Sequence, residues 1–239
     1  MTRPLYLDDA YRASAGGQVR AITDEGGLVL DASLFYPTAG GQPGDSGRLA
    51  WADGSVDIAT TLKGEAGAIV LVPAAPGPLP PPGTPVSQSL DWARRLRHMR
   101  MHTALHLLSA VVGAPVTGGQ IGEGKGRLDF DLDAAPDADA LSRRLAELVA
   151  ADLAVTAEWI TDAELDARPQ LVRTLSVRPP RGQERVRLVR IGHGDGTVDL
   201  QPCGGTHVAR TGEIGRPRVG KIEKKGRQNR RITLHLDPA

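Results

Sequence analysis

Two segments that lie far apart in the chain each carry a pair of metal-binding residue types at four-residue spacing. The first holds His102 and His106, and the second holds Cys203, the single cysteine of the chain, and His207. On a helix, side chains four residues apart lie one turn above each other on the same face, so His102 and His106 can direct two imidazoles to one point. Two glycines between Cys203 and His207 allow a tight turn there. Imidazole and thiolate suit zinc.

Each pair alone has an alternative explanation, because an HxxxH pair on an apolar helix is often core packing and a CxxxH pair is weaker still. Their joint presence predicts a metal site formed by all four residues. His98 lies one turn before His102 and could compete as a ligand, but the surrounding arginines indicate an exposed, cationic end of the helix. Thr103 stands where the zinc-protease motif has glutamate, so a built-in general base of that type is missing.

The sequences HTALHLL (102–108) and CGGTHV (203–208) resemble the editing domain of alanyl-tRNA synthetases and its free-standing relatives, the AlaX-type alanyl-tRNA editing proteins. The glycine-rich stretch 35–47 and the segment 210–215 strengthen this resemblance, which runs through nearly the whole chain. One departure is Ala39, where the family pattern has a third glycine. Gly40 and Gly41 still provide the turn, so we expect the consequence to be small.

The resemblance implies a zinc-dependent hydrolase that acts in trans on tRNA(Ala) wrongly charged with serine, and also with glycine, and so protects translation fidelity. The expected nucleophile is a zinc-bound water, and no protein general base is assigned. If all four ligands bind, the tetrahedral shell is full and resembles a structural site. With a full shell, a substrate or water can bind zinc only if one ligand leaves or the coordination number increases; otherwise zinc only orients the site.

Two alternatives remain open. A non-catalytic tRNA-binding module with a structural zinc would share the metal and the tRNA affinity but would leave the ester intact. A zinc peptidase or an unrelated esterase is disfavoured, because glutamate is missing after His102 and the sequence has no GxSxG elbow.

The resemblance also implies contacts with the substrate. The region after the HxxxH helix borders the amino-acid pocket, so Thr117 and Gln120 are candidates to touch the aminoacyl group, although both could lie in an ordinary polar turn. Rejecting alanine would use a buried polar group that pairs with the serine hydroxyl. Gly40, Gly41 and Gln42 are expected to line the editing cleft and position the tRNA end, and an ordinary hairpin loop is the alternative.

The most basic stretch spans residues 221–231, with six cations and one acid. Phosphate contact there would hold the tRNA backbone by charge without reading sequence. A solvated hairpin is the other interpretation. The candidate tRNA-binding residues are Lys221, Lys224, Lys225, Arg227 and Arg230.

Strand and helix signals predict an α+β chain with two domains. Short strands separated by turns predict a small N-terminal antiparallel β-barrel-like domain over 1–90, which includes the glycine-rich motif. Seven prolines between 73 and 85 forbid a central strand or helix, and we interpret that stretch as a loop. From residue 91 a helix to about 112 and further helices on a largely antiparallel sheet predict a two-layer α+β editing domain over 91–239.

Composition is compatible with these expectations. The 239 residues suffice for one large or two modest domains, and the net charge of +1 excludes a generally basic nucleic-acid coat. No apolar run approaches the roughly 20 residues that a membrane span needs, and the N-terminus has no signal-peptide core. A single cysteine cannot form an internal disulfide, which favours a reducing cytoplasm. The sequence does not give the oligomeric state; we favour a monomer.

Overall fold

A computed structural model describes residues 1–173 and 185–237. The chain is α+β, as the sequence predicts, and it divides into two compact units, Met1–Arg97 and His98–Ala239. The domain boundary is expected near residue 90. The observed division lies between Arg97 and His98, within the long helix that begins at Trp92. In the described ranges, none of the helices is both long and apolar enough to cross a membrane.

The first unit is a closed, entirely antiparallel barrel, which confirms the predicted N-terminal β-domain. The elements in chain order are β1 (Arg3–Pro4), α1 (Leu5–Asp8), β2 (Ser14–Ile22), β3 (Leu28–Leu30), β4 (Ala32–Ser33), β5 (Gly47–Trp51), β6 (Gly54–Lys63), β7 (Ile69–Pro73) and β8 (Pro85–Leu90). The strand order of the barrel is β2-β3-β7-β6-β5-β8, and a short parallel pair, β1-β4, lies beside it.

The barrel closes because its strands place alternate apolar residues inside. Leu28, Leu30, Leu49 and Leu71 are completely buried in this core. The proline-rich stretch forms the connection between β7 and β8, as expected. Strands β5 and β6 were not identified from the sequence, because polar residues and threonines interrupt the apolar alternation of β6.

The second unit contains a four-stranded antiparallel sheet, in which the strands lie in the order β14 (Pro217–Gly226), β15 (Asn229–Leu236), β10 (Lys125–Asp131) and β9 (Val116–Gln120). Gly126 lets a helix approach this sheet closely, because a Cβ there would lie 2.6 Å from the sulfur of Met101. The third helix packs on the sheet edge, where the backbone N–H of Val219 donates to the hydroxyl of Ser142. The elements are α2 (Trp92–Val112), β9 (Val116–Gln120), β10 (Lys125–Asp131), α3 (Ala138–Ala150), β11 (Val155–Ile160), α4 (Asp162–Asp166), β12 (Val186–Ile191), β13 (Asp199–Pro202), β14 (Pro217–Gly226) and β15 (Asn229–Leu236).

A second, three-stranded antiparallel sheet of order β11-β12-β13 positions the loop that carries Cys203 and His207. One face packs on a small core that includes Ile160, Leu165 and Leu188. The opposite face carries Val189 and Ile191, which are also buried. Because β13 ends at Pro202, the Cys203 segment leaves the sheet directly from its last strand.

Candidate metal centre

The four residues expected to bind metal do converge at one point in the structure. His102 and His106 project from one face of α2, while Cys203 and His207 lie in the loop after β13. One potential ligand atom from each lies within 4.8 Å of all the others. The Cys203 sulfur is 3.5 Å from Nε2 of His102 and 3.3 Å from Nε2 of His207. A helix and a distant loop therefore form one ligand set.

His106 is held by a buried carboxylate on the neighbouring sheet. Its Nδ1 donates to Oδ2 of Asp199 over 2.8 Å, and the side-chain amide of Gln201 donates to the same oxygen over 2.8 Å. The Nε of Arg173 lies 3.5 Å from the other carboxylate oxygen. Because Nδ1 faces Asp199, Nε2 of His106 faces the ligand cluster.

Thr103 gives His207 the same kind of support. Its hydroxyl donates to the carbonyl oxygen of Met99 over 3.0 Å, so the oxygen accepts from Nδ1 of His207 at 3.1 Å. The backbone N–H of Val208 also donates to this hydroxyl. Thr103 stands where the zinc-protease motif has glutamate. In this structure it fixes the orientation of the His207 ring, which faces Cys203.

The loop that carries Cys203 is fixed by Arg187, which lies directly opposite it on β12. One guanidinium nitrogen of Arg187 donates to the carbonyl oxygens of Cys203 and Gly205 over 2.9 and 3.0 Å. The backbone N–H of Gly205 donates to the sulfur over 3.4 Å, a contact that favours negative charge on sulfur.

Electrostatics within the cluster give Cys203 and His207 the protonation states that zinc ligands need. Burial raises the pKa of the Cys203 thiol, but interactions with the neighbouring imidazoles, that of His102 foremost, outweigh it and hold that pKa well below its usual range. Burial, together with the charge of His102, lowers the pKa of His207. Burial disfavours protonation of His106, yet hydrogen bonds to Asp199 and Cys203 raise its pKa to about 10. Binding of a metal ion through Nε2 would therefore displace a proton from His106.

These residues fit zinc in both donor type and orientation. Three imidazoles and one thiolate form a Cys-His₃ donor set that suits zinc. The Nδ1 atoms of His106 and His207 form hydrogen bonds with groups outside the ligand cluster, as expected for metal-binding histidines. His98, the possible competitor, is not in the cluster. The expectation that its end of the helix is exposed is wrong, since His98 and Arg95 are 1% and 0% exposed.

The two candidate amino-acid contacts lie on β9 in the four-stranded sheet. Thr117 is half-buried at a bulge, and its hydroxyl accepts from the side-chain amide of Asn229 over 3.3 Å. Gln120 is exposed, and its side-chain oxygen accepts from Nε of Arg127 over 3.3 Å. Their contact with an aminoacyl group stays a prediction.

Gly40 and Gly41 form the two central positions of a tight turn between Ala39 and Gln42. The backbone groups of Ala39 and Gln42 exchange two hydrogen bonds of 3.1 and 2.9 Å, and both glycines have positive φ (55° and 80°). A turn of this kind requires positive φ at both central positions. The departure at Ala39 thus leaves the turn intact, while a role of Gly40, Gly41 and Gln42 at the tRNA end stays a prediction.

The basic stretch forms the end of the β14-β15 hairpin. Lys221, Lys224, Lys225 and Arg227 are exposed there. Arg230 differs from them, because it is 8% exposed and its guanidinium donates to the carbonyl oxygens of Gly226, Asn229 and Asp133. It therefore stabilises the hairpin rather than presenting a charge to solvent.

Sequence reasoning did not assign roles to Asp199, Gln201 and Arg187. A signal for the first two was present, since residues 199, 201 and 203 alternate along one strand and must share a face. Arg187 could be found only from the register, because its distance from Cys203 in sequence gives no indication that they are opposite.

Comparison with known proteins identifies a family model and several similar proteins. Residues 186–233 match the family described as threonyl and alanyl tRNA synthetase second additional domain. The Alanyl-tRNA editing protein AlaX-M of Methanosarcina mazei is 33% identical, with 99% of this chain and 97% of the relative covered. That of Methanosarcina acetivorans is 34% identical, with 99% of both covered.

A larger protein also matches over most of the chain. The Alanine--tRNA ligase of Pyrobaculum neutrophilum is 34% identical over 93% of this chain, which corresponds to 25% of the ligase. The similarity to AlaX-M proteins instead extends over nearly their whole length. The chain therefore belongs to the AlaX-M family of alanyl-tRNA editing proteins.

Proposed function

We propose that this chain is a zinc-dependent hydrolase that deacylates tRNA(Ala) wrongly charged with serine, and also with glycine, in trans. The observation that carries the proposal is the convergence of His102, His106, Cys203 and His207 in a chain that matches AlaX-M proteins over nearly their whole length. A reducing compartment keeps the thiol of Cys203 available to a metal, so we place the reaction in the cytoplasm, and we favour a monomer.

The substrate is an ester between an amino acid and the terminal ribose of the tRNA. Hydrolysis adds water to the ester carbonyl, transfers a proton and releases the ribose hydroxyl. His102, His106, Cys203 and His207 would hold the zinc, which when bound acts as a Lewis acid towards a water molecule or a carbonyl oxygen.

The protein's contribution is to fix its own ligand groups before substrate arrives. The carboxylate of Asp199 accepts a hydrogen bond from Nδ1 of His106, and the hydroxyl of Thr103 accepts one from Nδ1 of His207. Arg187 fixes the backbone on both sides of Gly204. Each of these hydrogen bonds restricts a side chain or backbone segment of the ligand cluster in advance, so less conformational entropy is lost during the reaction.

A second candidate function follows from the number of ligands. Four side chains can complete a tetrahedral shell, which is typical of structural zinc sites, so the chain could bind tRNA without cleaving the ester. The two functions differ only in turnover.

The serine hydroxyl would be recognised by Thr117 or Gln120. A site that pairs with a hydroxyl discriminates strongly against the analogue that lacks it, because its polar group is then left unpaired. Thr117 is the stronger candidate, since it is half-buried whereas Gln120 is exposed.

The tRNA backbone would lie against the exposed cations Lys221, Lys224, Lys225 and Arg227. Gly40, Gly41 and Gln42 would help to position the tRNA end. Phosphate contacts of this kind would hold the tRNA without reading its sequence.

The test is release of amino acid from Ser-tRNA(Ala), Gly-tRNA(Ala) and Ala-tRNA(Ala) by the purified protein. We expect rapid release of serine, measurable release of glycine and retention of alanine. Thr117→Val should reduce the preference for serine over alanine, whereas Thr156→Val, at an exposed strand position, should leave it unchanged. Intact esters in all three samples with tRNA still bound would instead support the non-catalytic binding module.

A further inference from the structure

We propose that Trp159 is the stacking platform for the base of the terminal adenosine of the tRNA, whose ribose carries the ester. This proposal rests on the proposed function and identifies a binding residue for its substrate. Trp159 lies on β11 and is 47% exposed. Among the described residues of His98–Ala239, it is the one exposed large hydrophobic side chain.

The register of the three-stranded sheet aligns Trp159 with the metal ligand Cys203. Trp159 pairs directly with Arg187 on β12. The β12-β13 ladder, in which Leu188 faces Pro202, continues to the next residues, where the backbone N–H of Cys203 donates to the carbonyl oxygen of Arg187. The three residues therefore form one row across the sheet.

Residues in such a row project from the same face. The opposite face is identified by Ile160, Val186 and Leu188, which pack together in the core of this sheet. The face of Trp159 continues along β13 to Asp199 and Gln201, which hold His106. The exposed indole and the ligand cluster thus share one face.

The spacing suits one nucleoside. Neighbouring strands lie about 4.8 Å apart, so the backbones at Trp159 and Cys203 are roughly 10 Å apart across two such spacings. A ribose whose ester reaches the ligand cluster would carry its base towards Trp159. Arg187 lies between them in the row and adds positive charge beside the path of the sugar.

An aromatic side chain exposed beside a cation is a common way to bind a single-stranded end. Every base has a π-face, and stacking on an aromatic ring contributes binding without reading sequence. A protein surface that docked here would need a wider apolar patch, and Trp159 is flanked in its row by Arg187.

The first experiment is the steady-state deacylation of Ser-tRNA(Ala) by wild type, Trp159→Ala and Trp159→Phe. We expect Trp159→Ala to raise KM by about 5- to 150-fold, the range that loss of one stacked base gives, with a smaller effect on kcat. Trp159→Phe should restore most of the affinity. Leu62→Ala, which truncates a side chain that is 43% exposed in the barrel, should leave KM unchanged. Thermal unfolding of each variant separates a folding defect from a binding defect.

The second experiment does not depend on turnover. The chain has three tryptophans, so the double variant Trp51→Phe/Trp92→Phe leaves Trp159 as the sole indole. Uncharged tRNA(Ala) should quench its fluorescence, and tRNA(Ala) that lacks the terminal adenosine should quench it much less. If the wild type cleaves no ester, the proposed function fails, while this titration still tests the stacking.

Two results would overturn the proposal. One is an unchanged KM for folded Trp159→Ala in an active enzyme together with equal quenching by the two tRNAs. The other is a change in the sedimentation of Trp159→Ala with KM unaffected, which would mean that the indole contacts a second copy of the chain.

Discussion

Two clusters of buried polar groups in this molecule have opposite organisations. In the barrel unit, the guanidinium of Arg95 meets the carboxylate of Asp45, and it also donates to the carbonyl oxygens of Ala10 and Leu34. Asp45 in turn accepts from the backbone N–H of Tyr36. Opposite charges and hydrogen bonds satisfy this cluster within itself, as a buried ion pair requires.

The cluster of His102, His106, Cys203 and His207 is arranged differently. Its hydrogen bonds to Asp199 and Thr103 point outward, and its ligand atoms point towards one another. The contrast shows that burial and polarity alone do not distinguish a network that is satisfied within itself from a cluster whose ligand atoms converge on one point. The direction in which the donors and lone pairs point makes the distinction.

The largest expected effect comes from removing a ligand of the metal cluster. Cys203→Ala should reduce zinc affinity by more than about 100-fold, beyond the loss that an outer partner gives, and should abolish deacylation. Zinc content after dialysis and serine release check this. An unchanged zinc affinity of the variant would mean that the sulfur is not a ligand and that the ligand atoms of this cluster do not act together.

The corresponding change in the closed cluster should act on folding. Asp45→Asn leaves the buried Arg95 charge without its carboxylate, so the free energy of unfolding should fall by about 3–5 kcal/mol. Asp57→Asn is the matched control, because it breaks an exposed ion pair with Arg48 and should cost less than about 1 kcal/mol. Urea denaturation measures both. Equal effects of the two variants would show that burial gives the Arg95–Asp45 pair no special weight.

An intermediate effect is expected at Asp199, which is buried like Asp45 but supports the metal cluster. Asp199→Asn should weaken zinc binding by about 10- to 100-fold, since the ring of His106 loses the carboxylate that orients it. Competition with a chelator measures the affinity. The control is Glu158→Gln, whose carboxylate pairs with Arg190 in the same sheet. An unchanged zinc affinity of Asp199→Asn would show that the outward hydrogen bonds do not support metal binding.

The smallest effect is expected at the exposed cations of the β14-β15 hairpin. Lys224→Ala/Arg227→Ala should weaken tRNA binding and flatten the plot of log Kd against log salt by about 1 for each phosphate that the variant no longer neutralises. Arg143→Ala/Arg144→Ala removes two exposed charges from α3 and should leave the slope unchanged. A filter-binding titration at several salt concentrations separates the two variants.

The sequence predicts most of what depends on local pattern. Asp91 precedes α2 and accepts from the backbone N–H of Arg94, and Thr161 and Glu164 form the expected capping box of α4. The convergence of His102, His106, Cys203 and His207 could be anticipated because HxxxH and CxxxH are short-range patterns. The two residues of each pair are close in sequence, whereas the contact between the two pairs depends on the tertiary fold.

What could not be predicted depends on pairing over long distances. The partner of Asp45 lies on α2 and that of His106 on β13, and no periodicity links them. The buried position of Arg230 is another example, because one of its backbone partners, the carbonyl oxygen of Asp133, is 97 residues away in the sequence. The row from Trp159 to Cys203 likewise exists only through strand register.

Zinc dependence is tested most directly by adding zinc back to metal-free protein while following serine release from Ser-tRNA(Ala). We predict that release is negligible without zinc, rises in proportion to the zinc added and levels off at one equivalent per chain. Serine release at the same rate before and after zinc addition would contradict a zinc-dependent hydrolase, whatever the affinity of the chain for tRNA.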